Sequence, residues 1–387
     1  MLFRQPPAWS PLSFGALLSG CRAAWLTDGR TTRLALDAAL REAYAPAELY
    51  LADSGTSALM LALQVAHATT HSPVALPAYC CFDVATAADG AGVPFFLYDI
   101  EPGTLSPEPG SLRRALEAGA RSVVVAHLYG VPVDLARVQA LAAEFGALVI
   151  EDAAQASGCE WRGRPAGAHG ALGVLSFGRG KGVTGGKGGA LLVNDEGLRA
   201  AAAAATGSAT GPKEPRGSFR DLLLLGAQWL FGRPSLYWIP ASLPFLGLGE
   251  TIYHAPHPVD GITTLAAGVL ARTSRLVPAE VTRRRANASR LSKSATGKGS
   301  LTPPPEWNAG WLRFPVVLQR TAAGVLTNYH AGVGVMRGYP KSLADLEGFG
   351  IRRLNSAEEL PGARLLAERL VTLPTHRFVR GAKVPAF

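Results

Sequence analysis

Three short stretches carry residue types that can work together: SGTSAL at 54–59, EDAAQA at 151–156 and SFGRGKG at 176–182. Gly55 and Thr56 open a helical pattern, and the first N–H groups of a helix form an anion cradle backed by the positive end of the helix dipole. Ser176 can add a hydroxyl to that cradle. Asp152 follows a run of buried-strand type, where a carboxylate can hold a proton on a ring nitrogen by raising that nitrogen's pKa. Gln155 lies three residues on and offers a neutral amide donor. Lys181 sits in a glycine-rich turn and offers an amine. Singly, each has an ordinary reading: SGT opens many helices, a carboxylate after a strand caps the next helix, and a lysine in a glycine loop is a solvated charge. Jointly they supply what pyridoxal phosphate (PLP) asks of a protein, namely a phosphate cradle, a carboxylate for the pyridine nitrogen, a donor for the phenolic oxygen and an amine for the aldehyde.

The elements that must position these groups alternate along the first half of the chain. The pattern predicts helices over 32–45, 55–66, 80–89, 112–119 and 135–146, the last capped by Asp134. Strands are predicted over 74–77, 95–100, 122–130, 147–153, 174–178 and 190–195, with the glycine-rich turn 178–189 between the last two. Buried strands alternating with helices at this spacing argue for an α/β fold with a mainly parallel sheet and helices on both faces. Residues 1–205 are therefore expected to form a large cofactor-binding domain. Residues 206–262 read as a mobile loop followed by an apolar helical insert, 263–301 as a long, arginine-rich interdomain helix, and 302–387 as a small C-terminal αβ domain.

The motifs, taken in order, resemble the DegT/DnrJ/EryC1/StrS family of PLP-dependent aminotransferases. The matching stretches run SGTSAL, VALPAY, AHLYGVPVDL, VIEDAAQASG, GRPAGAHGALGVLSFGRGK and GGALLVND, with LLAERLVTLPTH (365–376) near the far end. The resemblance implies fold type I, with a seven-stranded-type sheet in the large domain, and a homodimer with its sites at the interface. It implies that Lys181 forms the Schiff base, that Asp152 pairs with the pyridinium nitrogen, Gln155 with the phenolic oxygen, and Ser176 with the phosphate. Gly55 and Thr56 would bind that phosphate through the backbone. The implied reaction moves an amino group from glutamate or glutamine to a keto sugar, nucleotide-linked in the leading reading. Two alternatives stay open: a PLP enzyme acting on a cyclitol or other non-nucleotide ketone, and a non-catalytic relative with a regulatory role.

Some positions depart from the family's pattern. The usually aromatic position that stacks on the cofactor falls on Cys81, so stacking is expected either from Tyr79 or Phe82 or to be partly lost. A second lysine, Lys187, stands where Glu is frequent and reads as a phosphate or carboxylate contact or a solvated charge. His127 falls at a strand end that should border the cofactor.

Composition narrows the rest. The chain has 387 residues, 48% of them apolar and 17% charged, so it can bury a sizeable core. Its formal net charge of +9 favours anionic partners, yet the densest basic cluster is Arg283–Arg285, which argues against a nucleic-acid arm. Cys21, Cys80, Cys81 and Cys159 have no metal-site spacing, so no metal is expected. No apolar run reaches membrane-spanning length and a soluble cytoplasmic protein is expected. The stretch 219–253 is strongly apolar; a hairpin on the partner subunit that roofs the site is the leading reading, and a peripheral membrane contact the alternative.

Overall fold

The computed structural model describes residues 3–209, 216–243, 246, 251–295, 299–356, 359–379 and 384–385. Its centre is a seven-stranded sheet built from β1 (Glu48–Ala52), β2 (Val74–Pro77), β3 (Phe95–Tyr98), β4 (Ser122–Ala126), β5 (Leu148–Asp152), β6 (Leu172–Ser176) and β7 (Gly189–Val193). The strands lie in the order β1-β7-β6-β5-β4-β2-β3. All run parallel except β7, which is antiparallel to both of its neighbours, β1 and β6. The strands β2, β3, β4 and β7 are buried along their whole length, as expected for a sheet covered on both faces. This topology brings the carboxyl ends of β1, β4, β5 and β6 to one edge, the edge where ligands bind in open α/β sheets.

Local chemistry explains the connecting helices. Ser54 caps the helix Gly55–Thr70 by accepting from Ser57 N–H at 3.0 Å. Asp134 caps Leu135–Glu144 in the same way, through Arg137 N–H at 3.1 Å. The helix expected over 80–89 begins instead at Asp83, whose carboxylate stands in its first turn; Cys80 and Cys81 precede it as non-helical backbone. The long helix expected over 263–301 is broken. Thr264–Thr273 ends in a 3₁₀ turn, Ser274–Leu276, and Val277–Ser294 starts afresh with Pro278 in its first turn. Proline has no N–H to continue the i→i−4 ladder, so the chain restarts there. The alanine-rich helix Arg199–Ala209 extends into the stretch expected to be a loop. Residues 210–215 of that loop, 244–245 and 247–250 of the apolar insert and 296–298 of the expected long helix lie outside the described residues.

Toward the C-terminus, β8 (Arg313–Val317), β9 (Met336–Arg337) and β10 (Leu370–Pro374) form a second, antiparallel sheet in the order β8-β10-β9. Ala288 and Leu291 of the helix Val277–Ser294 share an apolar cluster with Phe314 and Val316 of β8. A small hairpin, Glu160–Trp161 with Arg164–Pro165, pairs with Trp307–Asn308 and stacks Trp161 on Trp307 at 5.6 Å. In the insert, the helix Phe219–Phe231 carries a capping box made by Ser218 and Asp221 and buries Leu225. Among the described residues, no helix is long and apolar enough to cross a membrane.

Backbone approaches inside the sheet are tight. A Cβ built at Gly173 of β6 would lie 1.9 Å from Gly167 O, and a carbonyl fixed in backbone cannot give way. Gly173→Ala should therefore cost about 1–3 kcal/mol, the range of overpacked cores. A denaturant titration checks this; an unshifted midpoint would show that the 167–173 turn can move aside.

Candidate active site

Every residue that the three motifs contributed meets at the carboxyl edge of the sheet. Gly55, Thr56, Asp152, Gln155, Ser176 and Lys181 line one pocket, together with Cys81, Asp83 and His127. Register accounts for the meeting. Ala126 lies opposite Asp152, and Gly189 lies opposite both Ser176 and Ala52, two residues before Ser54. Gly55 and Thr56 belong to the helix's first turn, whose N–H groups have no carbonyl a turn behind them. A Cβ at Gly55 would lie 2.6 Å from Ser176 Cβ and 2.8 Å from its Oγ, so glycine lets the serine sit directly against the helix end.

Asp152 Oδ1 accepts from Ala154 N–H at 3.0 Å. Burial pushes its carboxyl above the ordinary range; Ala154 N–H, Lys181 and His127 oppose this, and Asp83 adds to it. Such a carboxylate gains charge stability when a cation is set against it. Lys181 lines this pocket and also the larger cleft that opens beside it. Lys187 turns away, and its Nζ pairs with Asp221 Oδ2 at 3.0 Å.

Gln155 is held from two sides. Its Oε1 accepts from Tyr129 N–H at 3.0 Å, and its Nε2 donates to Tyr339 OH at 2.5 Å. Tyr129 adopts φ of +60°, a left-handed conformation rare for an aromatic residue. Because Oε1 is taken by a backbone donor, Nε2 is fixed as the donor face, with one N–H left beyond Tyr339.

The ring-stacking expectation is not met by the side chains named for it. Tyr79 is fully buried, accepts from Tyr339 N–H at 2.9 Å and lies 3.4 Å from Tyr129 OH. Phe82 is buried beside Tyr339, and neither Tyr79 nor Phe82 is among the residues lining the pocket. Cys81 does line it, with its thiol donating to Asp83 Oδ2 at 3.3 Å. Burial, then the Asp83 charge, push that thiol up to about 12, which keeps it protonated.

Two groups of residues escaped sequence reasoning. Glu151, beside Asp152 on β5, points to the opposite face because strand side chains alternate. It is fully buried, and its Oε1 accepts from His127 Nε2 at 2.8 Å while its Oε2 accepts from the N–H groups of His169 and Gly170. His127 Nδ1 accepts from Val133 N–H at 3.2 Å, so Nε2 carries the proton. The doublet of acids at a strand end was the available signal: one of the two had to be buried, and a buried carboxylate needs donors. Tyr339 and Arg313 come from the C-terminal sheet region, and no local spacing announces them.

A sheet of this order with such a pocket on its carboxyl edge is the fold type I architecture of PLP-dependent transferases. Residues 15–219 match the model of the DegT/DnrJ/EryC1/StrS aminotransferase family, and the chain belongs to that family. Over 145 residues it is 38% identical to the L-glutamine:2-deoxy-scyllo-inosose aminotransferase of Streptomyces kanamyceticus, covering 37% of this chain and 34% of that protein. Over 146 residues it is 32% identical to a pleiotropic regulatory protein of Geobacillus stearothermophilus, covering 38% and 39% respectively. These matches span little more than a third of the curated relatives' length. The crystal structure of the sugar aminotransferase CalS13 from Micromonospora echinospora superposes with a TM-score of 0.72 at 20% identity, covering 97% of this chain and 96% of that one, a likeness of fold.

The family is PLP-dependent, and the pocket suits that cofactor. A helix-end cradle with a serine against it, a carboxylate that gains from a cation, an oriented amide donor and a primary amine are the complementary donor set.

The Glu151 carboxyl titrates below its ordinary value: burial alone would raise it, but the hydrogen bond from His127 and the backbone N–H groups outweigh that. A depressed folded-state value means stability that is present above the unfolded pKa, about 4.3, and lost as the pH falls below it. Glu151→Gln should lower stability at pH 7 by about 1–3 kcal/mol and flatten this acid-side loss. Urea midpoints at pH 7 and pH 4 read both effects; an acid slope equal to wild type would refute the assignment.

Proposed function

We propose that this chain is a PLP-dependent aminotransferase that moves an amino group from glutamine or glutamate to the ketone of a sugar or cyclitol ring. The observation that carries the reading is the convergence of Lys181, Asp152 and the Gly55–Thr56 helix end on one pocket, which adjoins a cleft of about 860 Å3. When bound, the cofactor supplies an aldehyde that accepts an amino group and a protonated ring that draws off electrons.

The chain's residues divide the work. Gly55 and Thr56 N–H groups and the Ser176 hydroxyl bind the phosphate, and the helix dipole favours its charge. Asp152 holds the proton on the ring nitrogen, and in doing so replaces lost hydration with an ion pair. Gln155 Nε2 donates its remaining N–H to the phenolic oxygen. Lys181 Nζ takes a proton from the donor's Cα in one half of the reaction and returns one to the acceptor's carbon in the other. A primary amine suits both tasks because it serves as nucleophile and as base. Cys81, kept protonated beside Asp83, stays a poor nucleophile toward the aldehyde.

A free cyclitol ketone is the acceptor favoured by the relative whose name specifies 2-deoxy-scyllo-inosose. The cationic side chains of Arg179 and Arg337 on the cleft wall favour a second reading, a nucleotide-linked keto sugar whose diphosphate they would meet.

Holoenzyme mixed with glutamine should lose its aldehyde absorbance, and added 2-deoxy-scyllo-inosose or a nucleotide-linked keto sugar should restore it. Absence of both changes with every donor and ketone would overturn the reading. Borohydride should fix the cofactor to the peptide that carries Lys181; label on Lys187 would reverse the lysine assignment. Asp152→Asn should lower kcat by roughly two to four orders of magnitude, the range for a positioned proton-holding group, while cofactor binding falls far less. A variant within tenfold of wild type would hand this role to another residue.

A further inference from the structure

The adjoining cleft holds a cation with no counter-charge. Arg313 opens β8 and lines this cleft with Lys181, Gln155, Tyr129, Tyr237 and Tyr339. Its Nη2 reaches Thr372 O at a long 3.4 Å, and its Nε is buried with no hydrogen-bond partner. Among the described residues no carboxylate pairs with it; the polar groups that face it are the three phenols. Arg179 and Arg337 on the same cleft wall also lack a carboxylate partner among the described residues, but both are exposed to solvent. Arg285 donates to Ala309 O, Gly158 O and Asn308 O, and Arg41 pairs with Asp37 and Glu48. Arg284 also has unpartnered nitrogens, but it lies behind Gly182, has Glu280 nearby and does not line the cleft.

A buried guanidinium without an anion is costly, and its planar fork matches a carboxylate. Burial pulls the Arg313 guanidinium down to about 10, which leaves it cationic at neutral pH. A second donor stands ready: Tyr339 OH accepts from Gln155, so its own proton is free for an anion in the cleft.

We infer that Arg313 is the carboxylate anchor of the cleft, holding the amino donor by its carboxylate while the donor's amino group lies at Lys181. The inference rests on the aminotransferase reading for the identity of the donor, but the anion site itself does not. The donor carries a carboxylate next to its reacting carbon, and a fixed cation would orient that carbon toward the amine. The same anchor would hold the 2-oxo acid that the donor becomes.

The test uses PLP-loaded wild type, Arg313→Gln and Arg313→Lys. Retained cofactor absorbance in the variants establishes an intact pocket. For Arg313→Gln the KM for glutamine should rise roughly ten- to hundredfold, the effect of a lost charge-assisted hydrogen bond, with the ketone's KM within threefold of wild type. Arg313→Lys should recover part of the loss. Calorimetric titration with succinate reads the anion site without turnover: wild type should bind it, and Arg313→Gln should not. Equal succinate binding by both proteins, or none by wild type, overturns the inference. So does a rise in the ketone's KM in place of the donor's, which would assign the arginine to an acceptor phosphate. If succinate binding depends on Arg313 but no donor converts the cofactor, the carboxylate site stands and the aminotransferase reading falls.

Discussion

The site depends on how closely two backbones approach at one residue. Gly189 opens β7, the single antiparallel strand, and faces Ala52 of β1 on one side and Ser176 of β6 on the other. A Cβ there would lie 2.3 Å from Ser54 O. Without a side chain, the turn from β1 into its helix folds down onto the end of β7 and meets Ser176 across it. The helix N-terminus and the serine then lie side by side, although 121 residues separate Gly55 from Ser176 in the chain. Gly55 repeats the constraint from the other side, since its own Cβ would strike Ser176. The juxtaposition is thus set by steric exclusion first, and the placing of the polar groups follows from it.

From that edge the sheet gives two adjacent carboxylates opposite duties. Alternation along β5 turns Asp152 toward the pocket and Glu151 into the interior. Burial acts on both, yet the outcomes differ in sign. Glu151 has His127 and backbone N–H groups around it and titrates low. Asp152 has one backbone donor and more distant charges, and titrates high. The difference is one of satisfied hydrogen bonds, and it leaves Asp152 as the carboxylate with something to gain from a ligand cation. Behind them the Trp307 ring lies tilted against His127 at 5.2 Å, so the packing of the C-terminal segment bears on the orientation of the imidazole.

What could be read from the sequence was local. The strand ends and the three motifs were legible because strand period, helix caps and glycine turns are short-range signals, and they placed Asp152, Gln155, Ser176 and Lys181 in one pocket. Residue identity around that pocket was less legible. An aromatic residue near Cys81 looked available for stacking, but Tyr79 is spent on Tyr339 and Tyr129, contacts that span 260 and 50 residues. Lys187 read as a ligand contact or a solvated charge, and its partner is Asp221, 34 residues on. Arg313 and Tyr339 carry no motif at all. They reach the cleft because the second sheet lies beside the first, which a one-dimensional pattern does not encode.

The Lys187–Asp221 pair raises the question of what holds the lysine loop in place. The ion pair is 3.0 Å long, but its side chains are 41% and 21% exposed, so its worth is about 0–1 kcal/mol. Beside it, Leu225 of the helix Phe219–Phe231 is 3% exposed and packs so closely on Gly186 that a Cβ there would lie 2.5 Å from Leu225 Cδ2. Burying a leucine fully is worth about 1.5–3 kcal/mol, so packing outweighs charge here. The same helix turns Leu224, Ala227 and Gln228 toward the cleft. One face of the apolar insert thus packs on the loop that carries Lys181, and the next face lines the cleft. The element that packs on the lysine loop is therefore the same one that walls the cleft.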